Sequence, residues 1–168
     1  DLFAGGTWLG LTREGRFAAL TNCRTENVSP KPGDQSRGVL VRDYLLNHLE
    51  TRTAIDTQSI ETLRGYGGFN LIAGTTSKLN LLCNATGFSS VCSQGLMTLS
   101  NTPPEHQWPK TRQGEIEFSR ILEQSPDHGT LVARLFDFLR DPRPLATGSE
   151  NSIVDSKESH QRVLFVEG

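Results

Sequence analysis

The chain has 168 residues, of which 35% are hydrophobic, and this length suits one domain with a real hydrophobic core. Its 17 Lys and Arg against 19 Asp and Glu give a formal net charge of -2, and the basic residues are scattered, which argues against a nucleic-acid partner. No apolar run approaches the length of a transmembrane segment, so we expect no membrane-spanning helix in this sequence.

A β-hairpin is predicted at the start of the sequence. Residues 7–12 and 16–21 both alternate between apolar and other side chains, as half-buried strands do. The turn between them, residues 13–15, ends in a glycine, which readily adopts the left-handed conformation that such turns need. The hairpin ends at Asn22, a residue type that is common where turns begin.

Two helices are predicted after a loop at 22–37. The stretch 36–50 has apolar residues at helical spacing, and Ser36 is expected to cap its first turn. A second, shorter helix is predicted from Asp56, which is another capping residue type. The inward face of the first helix is expected to consist of Leu40, Val41, Tyr44, Leu45 and Leu49.

The second half of the chain begins with a block of predicted strands. Their segments are 68–74, 78–84 and 95–101, with a serine-rich loop around Cys92 between the last two. The remaining predicted segments are a helix within 107–125, a helix over 128–140, a mobile loop at 141–160 and a strand at 162–168.

Strands and helices that come in blocks, without regular βαβ alternation, predict an α+β domain with mainly antiparallel pairing, or a layered αββα domain. The closing strand needs a partner from elsewhere in the sheet. We therefore expect one domain over 1–168 that is truncated at its N-terminus and also at its C-terminus, with both ends lying inside a sheet.

The residue types that carry metal or nucleophile chemistry give little signal here. Cys23, Cys83 and Cys92 show no CxxC or CxxH spacing, so we expect reduced, unreactive thiols. The four histidines are isolated, so no metal site is predicted. Two carboxylate pairs in helical segments are expected to lie on solvated faces; they are Glu115 with Glu117 and Glu123 with Asp127.

Two asparagines are the stronger functional candidates. Asn22 and Asn101 each stand where a predicted strand gives way to a loop, in the sequences ALTN and LSN. A side-chain amide at such a place can donate a hydrogen bond to an oxygen that becomes negative during acyl transfer. The alternative is that both residues only begin turns. The residues by themselves leave both interpretations open.

Six short motifs follow one another in a characteristic order between residue 3 and about residue 140. They are GGTWLG (5–10), GRFAALTN (15–22), SRG (36–38), GGFNLI (67–72), GLMTLSN (95–101) and WPK (108–110). In these motifs the chain resembles the NRDE-motif family, also called transport and Golgi organisation protein 2-like. Relatives of full length begin about one strand pair earlier, with Met-Cys and the Asn-Arg-Asp-Glu sequence that names the family.

The resemblance implies an αββα four-layer sandwich similar to the N-terminal nucleophile (Ntn) hydrolases, in which an N-terminal cysteine attacks an amide or ester carbonyl. It implies that Asn22 and Asn101 are oxyanion or substrate donors, and that Trp8 and Trp108 line the core or the pocket wall. Because the nucleophile and its supporting groups are not in these residues, we expect this chain by itself to be inactive.

Two functions remain open on this basis. The first is a non-catalytic role in Golgi organisation and secretory transport, in which the cleft handles a small hydrophobic or acyl ligand such as haem or an acyl-CoA. The second is a cysteine Ntn amidohydrolase that cleaves C–N bonds. We expect no resident cofactor, a cytoplasmic protein with a Golgi or mitochondrial association, and protein partners that the sequence does not identify.

Overall fold

The computed structural model describes residues 5–24, 35–46, 62–106, 108–140 and 163–166. The strands are β1 (Leu9–Leu11), β2 (Arg16–Asn22), β3 (Phe69–Thr75), β4 (Lys78–Cys83), β5 (Phe88–Cys92), β6 (Leu96–Leu99) and β7 (Val163–Val166). The helices are α1 (Gly38–Leu45), α2 (Pro109–Gln124), α3 (His128–Arg140) and a short 3-10 helix (Thr62–Gly65). The predicted loop at 141–160, Leu49 and the start of the helix predicted from Asp56 lie outside the described residues.

Five strands form one antiparallel sheet in the order β1-β2-β3-β4-β5. The predicted hairpin is confirmed, because Leu9 pairs with Ala19 across β1 and β2. Its turn closes at Gly15, whose φ of 80° is the left-handed conformation that glycine accepts without strain. The prediction of an α+β protein with antiparallel pairing is therefore confirmed.

Helix α1 packs against one face of this sheet and forms the larger core. The buried residues of this first cluster are Ala18, Leu20, Leu40, Val41, Tyr44, Leu63, Phe69, Leu71, Ala73 and Leu82. The predicted Ser36 cap is wrong: Arg37 is the N-cap residue, and its side chain makes no capping hydrogen bond. The helix start is instead held by close backbone contact, since the Thr7 N–H donates to the Gly38 carbonyl at 3.1 Å.

A second apolar cluster lies on the other face of the sheet. Ile72 of β3, Leu81 of β4 and Leu99 of β6 are buried together in it. Side chains alternate along a strand, so Thr98 points away from this cluster, and its hydroxyl donates to a Glu115 carboxylate oxygen of α2 at 3.0 Å. The order of packing is thus α1, the five-stranded sheet, β6 with β7, and α2.

The structure corrects two predictions about strands. The serine-rich segment around Cys92 is not a loop but the edge strand β5, which pairs with β4 from Leu79↔Cys92 to Cys83↔Phe88. Serine has no strong strand propensity, so the sequence does not predict this strand. The segment is extended because it pairs with β4, to which four residues connect it. The closing strand also has a partner within the chain, because β7 pairs with β6 from Leu96↔Val166 to Leu99↔Val163.

Helix α3 matches its predicted span and packs on α2. Asp127 caps its start, because its carboxylate accepts hydrogen bonds from the Thr130 N–H at 2.9 Å and the Thr130 hydroxyl at 2.6 Å. Phe138 is buried, whereas the adjacent Leu139 is 52% exposed. None of the described helices has the length and apolar character that crossing a membrane requires.

Candidate functional site

The two asparagines selected from the sequence meet at one end of the five-stranded sheet. Asn22 is the last residue of β2, and Asn101 follows β6 by two positions. Just beyond β2 the Cys23 N–H donates to the Gly68 carbonyl at 2.9 Å, which continues the ladder to the next strand. The next residue, Arg24, bonds in turn to the segment after β6: its N–H donates to the Asn101 carbonyl at 2.8 Å. These bonds bring the segments that carry Asn22 and Asn101 together.

Asn70 of β3 is a residue of this site that sequence reasoning missed. It is completely buried, and its Nδ2 donates to the Ser100 carbonyl at 3.1 Å and to the Thr102 carbonyl at 2.9 Å. These two carbonyls flank Asn101, so Asn70 holds the backbone on both sides of it. The sequence contains one signal that could have identified Asn70: it is an amide residue inside the apolar run FNLIAG, and a buried polar group needs hydrogen-bond partners.

All three asparagines share an unusual feature. Asn22 Oδ1, Asn70 Oδ1 and Asn101 Oδ1 are buried and have no hydrogen-bond partner among the described residues. A buried acceptor left without a donor costs about 1–3 kcal/mol, so three of them at one sheet end is an arrangement that calls for an explanation. Each oxygen can accept an N–H or O–H group of a bound molecule.

The three side chains do not all share one face. Asn22 pairs directly with Phe69, a member of the first apolar cluster, so it lies on the α1 side of the sheet. Asn70 pairs with Thr21 and lies on the side of β6, where its Nδ2 is also 3.4 Å from the Thr21 hydroxyl. The site is therefore the rim of the sheet at the end of β2, with Asn70 beneath Asn101.

The two tryptophans expected to line a pocket lie apart. Trp8 precedes β1, is 37% exposed, and has the Arg37 guanidinium 5.6 Å from its ring centroid. Trp108 stands at the start of α2, is 39% exposed, and has the Lys110 ammonium 4.5 Å from its ring centroid. The two rings therefore contact cations of different segments, Arg37 before α1 and Lys110 in α2, and their role as pocket-wall residues stays a prediction.

Two cysteines come together beside the same rim. Cys23 and Cys83 are buried, and their Sγ atoms are 3.6 Å apart although the residues are 60 positions apart in sequence. The contact with the Cys23 thiol lowers the pKa of Cys83, burial opposes this, and bonds from the Thr86 hydroxyl and from the Thr86 and Ala85 backbone lower it further. The same thiol contact, with burial, raises the pKa of Cys23. Sequence spacing gives no signal for this pair.

The carboxylate pairs have structural roles. The Glu115 carboxylate accepts from Thr98, Glu117 forms an ion pair with Arg120, and Asp127 caps α3. Asp127 is exposed, as expected of a solvated position, and its oxygens also accept hydrogen bonds from Thr130. Within the described part of the chain, no group of three or more His, Cys, Asp or Glu residues is placed to hold a metal ion.

These observations define an α+β protein whose antiparallel sheet ends in a rim of asparagines. A family model described as Transport and Golgi organisation 2 matches residues 1–167. The chain belongs to the Transport and Golgi organisation 2 family, which confirms the resemblance found in the sequence motifs.

Curated relatives agree with this assignment. The mouse Transport and Golgi organization 2 homolog is 33% identical over 146 residues, which is 82% of this chain and 52% of the relative. The human Transport and Golgi organization protein 2 homolog is 32% identical over 145 residues, 82% of this chain and 51% of the relative. The bovine homolog is 32% identical over 143 residues, 80% and 51% respectively. The chain spans about half the length of the curated relatives that it matches.

Proposed function

We propose that this chain serves transport and Golgi organisation as a ligand-binding domain that holds an acyl compound at the rim formed by Asn22 and Asn101. The role in transport and Golgi organisation comes from the names of its relatives. The class of ligand is inferred from the buried amide oxygens at this rim, which have no hydrogen-bond partner among the described residues. A Golgi-associated location follows from the same role.

The unpartnered amide oxygens are the observation that carries the proposal. Asn22 Oδ1 and Asn101 Oδ1 are buried acceptors that need a donor, while each side chain also has an NH₂ group that donates. A ligand amide offers a matching N–H and C=O, so it can satisfy both ends of an asparagine amide. The pantetheine arm of an acyl-CoA contains such amides. Haem offers carboxylates, which accept but do not donate when ionised, so the rim favours the acyl-CoA class.

Intrinsic fluorescence provides a direct binding assay, because the chain contains only two tryptophans. We expect palmitoyl-CoA to bind saturably to the purified chain, and the variant Asn101→Asp to bind about 10–100-fold more weakly. That factor corresponds to one lost donor of about 1.5–3 kcal/mol to a polar group in a site largely shielded from water. Trp8→Phe and Trp108→Phe then identify which ring reports the ligand.

The matched control is Gln94→Glu, which makes the same amide-to-carboxylate change at an exposed position. It should bind palmitoyl-CoA like the unmodified chain. The proposal fails if no saturable binding is seen, or if Gln94→Glu weakens binding as much as Asn101→Asp does. A parallel titration with haem, followed by its absorption, separates the two ligand classes; saturable haem binding without palmitoyl-CoA binding refutes the acyl assignment.

A second candidate function is supported by the order of packing. The sequence α1, five-stranded sheet, β6 with β7 and α2 is the layer order expected of an αββα sandwich such as that of the Ntn hydrolases. On this hypothesis a full-length relative hydrolyses an amide, Asn22 and Asn101 donate to the oxyanion, and the cysteine nucleophile lies outside these 168 residues. Amide hydrolysis that is unchanged in the full-length Asn101→Ala variant would contradict it.

A further inference from the structure

A pair of thiols lies next to the asparagine rim and takes no part in the proposed ligand binding. Cys23 is 3% exposed and Cys83 is not exposed at all, and their sulfur atoms are 3.6 Å apart. Within the described residues the third cysteine, Cys92, lies on the edge strand β5, is partly exposed, and bonds only to the Gln94 carbonyl at 3.4 Å. The first two thiols therefore form a unit that Cys92 does not share.

The topology explains how the two thiols meet. Cys23 follows β2 and Cys83 ends β4, so β3 lies between them in the sheet. The residue facing Cys23 across the ladder is Gly68, which has no side chain to keep the Cys23 thiol away from the middle strand. Cys83 faces Asn70 in register, so its side chain lies on the β6 side of the sheet. The two thiols then meet over Gly68, the residue that directly precedes β3.

A second observation is a buried hydrogen-bond acceptor without a donor beside Cys83. Asn70 Oδ1 is a fully buried acceptor without a partner, and it belongs to the residue directly opposite Cys83. Side chains that face each other on one side of an antiparallel pair have Cβ atoms about 4.5–5.5 Å apart, within reach of one small hydroxyl-bearing molecule. An O–H group bound to Asn70 Oδ1 would thus be held beside the Cys83 sulfur.

We propose that Cys23 and Cys83 form a redox-active dithiol that hydrogen peroxide oxidises reversibly to a disulfide. In the first step the Cys83 thiolate attacks one peroxide oxygen, the O–O bond breaks, and the released hydroxide takes up a proton to become water. In the second step the Cys23 sulfur attacks the resulting Cys83 sulfenic acid, the S–O bond breaks, and the Cys23 proton leaves with hydroxide as a second water. Two thiols and one hydrogen peroxide thus give one disulfide and two waters, the peroxide being reduced.

The assignment of roles follows from the surroundings of each sulfur. The contact with Cys23 and the additional hydrogen bonds from Thr86 and Ala85 lower the pKa of Cys83, so we assign the thiolate to Cys83, while Cys23 keeps its proton until the second step. Both sulfurs are shielded from bulk solvent, which restricts the reaction to small, neutral oxidants. Bulky thiol reagents should therefore react first with Cys92.

Forming the disulfide requires the backbone to move. The sulfur atoms must approach by about 1.6 Å, to a length of roughly 2.05 Å. Because β3 lies between β2 and β4, closing the bond draws the ends of these two strands inward.

The test is peptide mapping of the folded chain after treatment with hydrogen peroxide. Remaining thiols are alkylated under denaturing conditions, and the digest is compared with and without reductant. We expect a Cys23–Cys83 linked peptide as the main product, lost when the digest is treated with reductant. The matched control Cys92→Ser should give the same linked peptide, whereas in Cys23→Ser oxidation should stop at a Cys83 sulfenic acid that dimedone traps when the chain is denatured in its presence.

The experiment on the unmodified chain decides the matter even if Cys23→Ser does not fold. Oxidation confined to Cys92, or a disulfide that joins Cys92 to another cysteine, overturns the proposal. Survival of both Cys23 and Cys83 as alkylatable thiols, under peroxide that fully oxidises Cys92, also overturns it. The site does not depend on the proposed acyl ligand, so palmitoyl-CoA binding can succeed or fail without affecting this result.

Discussion

Replacing Asn70 tests whether hydrogen bonds from the sheet hold the rim in place. In Asn70→Ala the carbonyls of Ser100 and Thr102 lose donors at 3.1 and 2.9 Å. Two part-buried carbonyls without partners cost about 1–2 kcal/mol each, and removing the unpartnered Oδ1 recovers about 1 kcal/mol. We expect the free energy of unfolding to fall by about 1–3 kcal/mol, which is roughly 2–12 °C in Tm for a chain of this length.

Urea unfolding followed by circular dichroism measures this change. The matched control is Asn80→Ala, because Asn80 is also a buried strand asparagine but its described hydrogen bond is a single one, to the Ala73 carbonyl at 3.2 Å. Its loss should be about 1 kcal/mol. Asn70→Asp keeps the shape and places an oxygen against two carbonyls, so it should be worse than Asn70→Ala at neutral pH. The reasoning is refuted if Asn70→Ala costs no more than Asn80→Ala.

Two further predictions concern the helices. A Cβ at Gly6 would lie 2.5 Å from the Gly38 carbonyl carbon, so Gly6→Ala should lower the free energy of unfolding by about 1–3 kcal/mol. A Cβ at Gly114 in α2 would meet no atom within 4 Å, so Gly114→Ala should raise it by about 0.5–1 kcal/mol. Denaturant titration of both variants measures these opposite changes. The bonds from the Thr130 hydroxyl and backbone lower the pKa of Asp127 below 3.8, so its cap is formed above that pH and is lost as the pH falls through the lowered value. Helicity measured against pH should show this step, Asp127→Asn should remove it, and an unchanged step in the variant would assign it to another group.

Features that depend on neighbouring residues could be predicted from the sequence. Alternation identified β1 and β2, the glycine at position 15 identified their turn, and helical spacing identified α3 over its full span. The position of Asn22 and Asn101 at strand ends was also predictable, because a strand end is a local property. The family motifs added the wider assignment, which the family match confirms.

Features that depend on pairing between distant segments could not be predicted. β5 has weak strand propensity and exists because β4 supplies hydrogen-bonding partners. The contact of Cys23 with Cys83 requires the order β2-β3-β4 and a glycine opposite Cys23, neither of which spacing reveals. Asn70 resembles an isolated polar residue in a strand until the segment after β6 is folded onto it.

The two faces of the five-stranded sheet are held in different ways, and this difference bears on the rim. The α1 face is covered by one large apolar cluster, whereas the opposite face is covered over β3 and β4 and leaves Leu9 and Leu11 60% and 67% exposed on β1. At the rim, the segment after β6 is attached to the sheet by the amide of Asn70 and by the Arg24 N–H. Loss of the Asn70 hydrogen bonds should therefore loosen Asn101 while the α1 core stays folded, because apolar burial and not the rim stabilises that core. The ligand binding proposed at Asn101 should accordingly weaken when the contact between the two sheets is loosened.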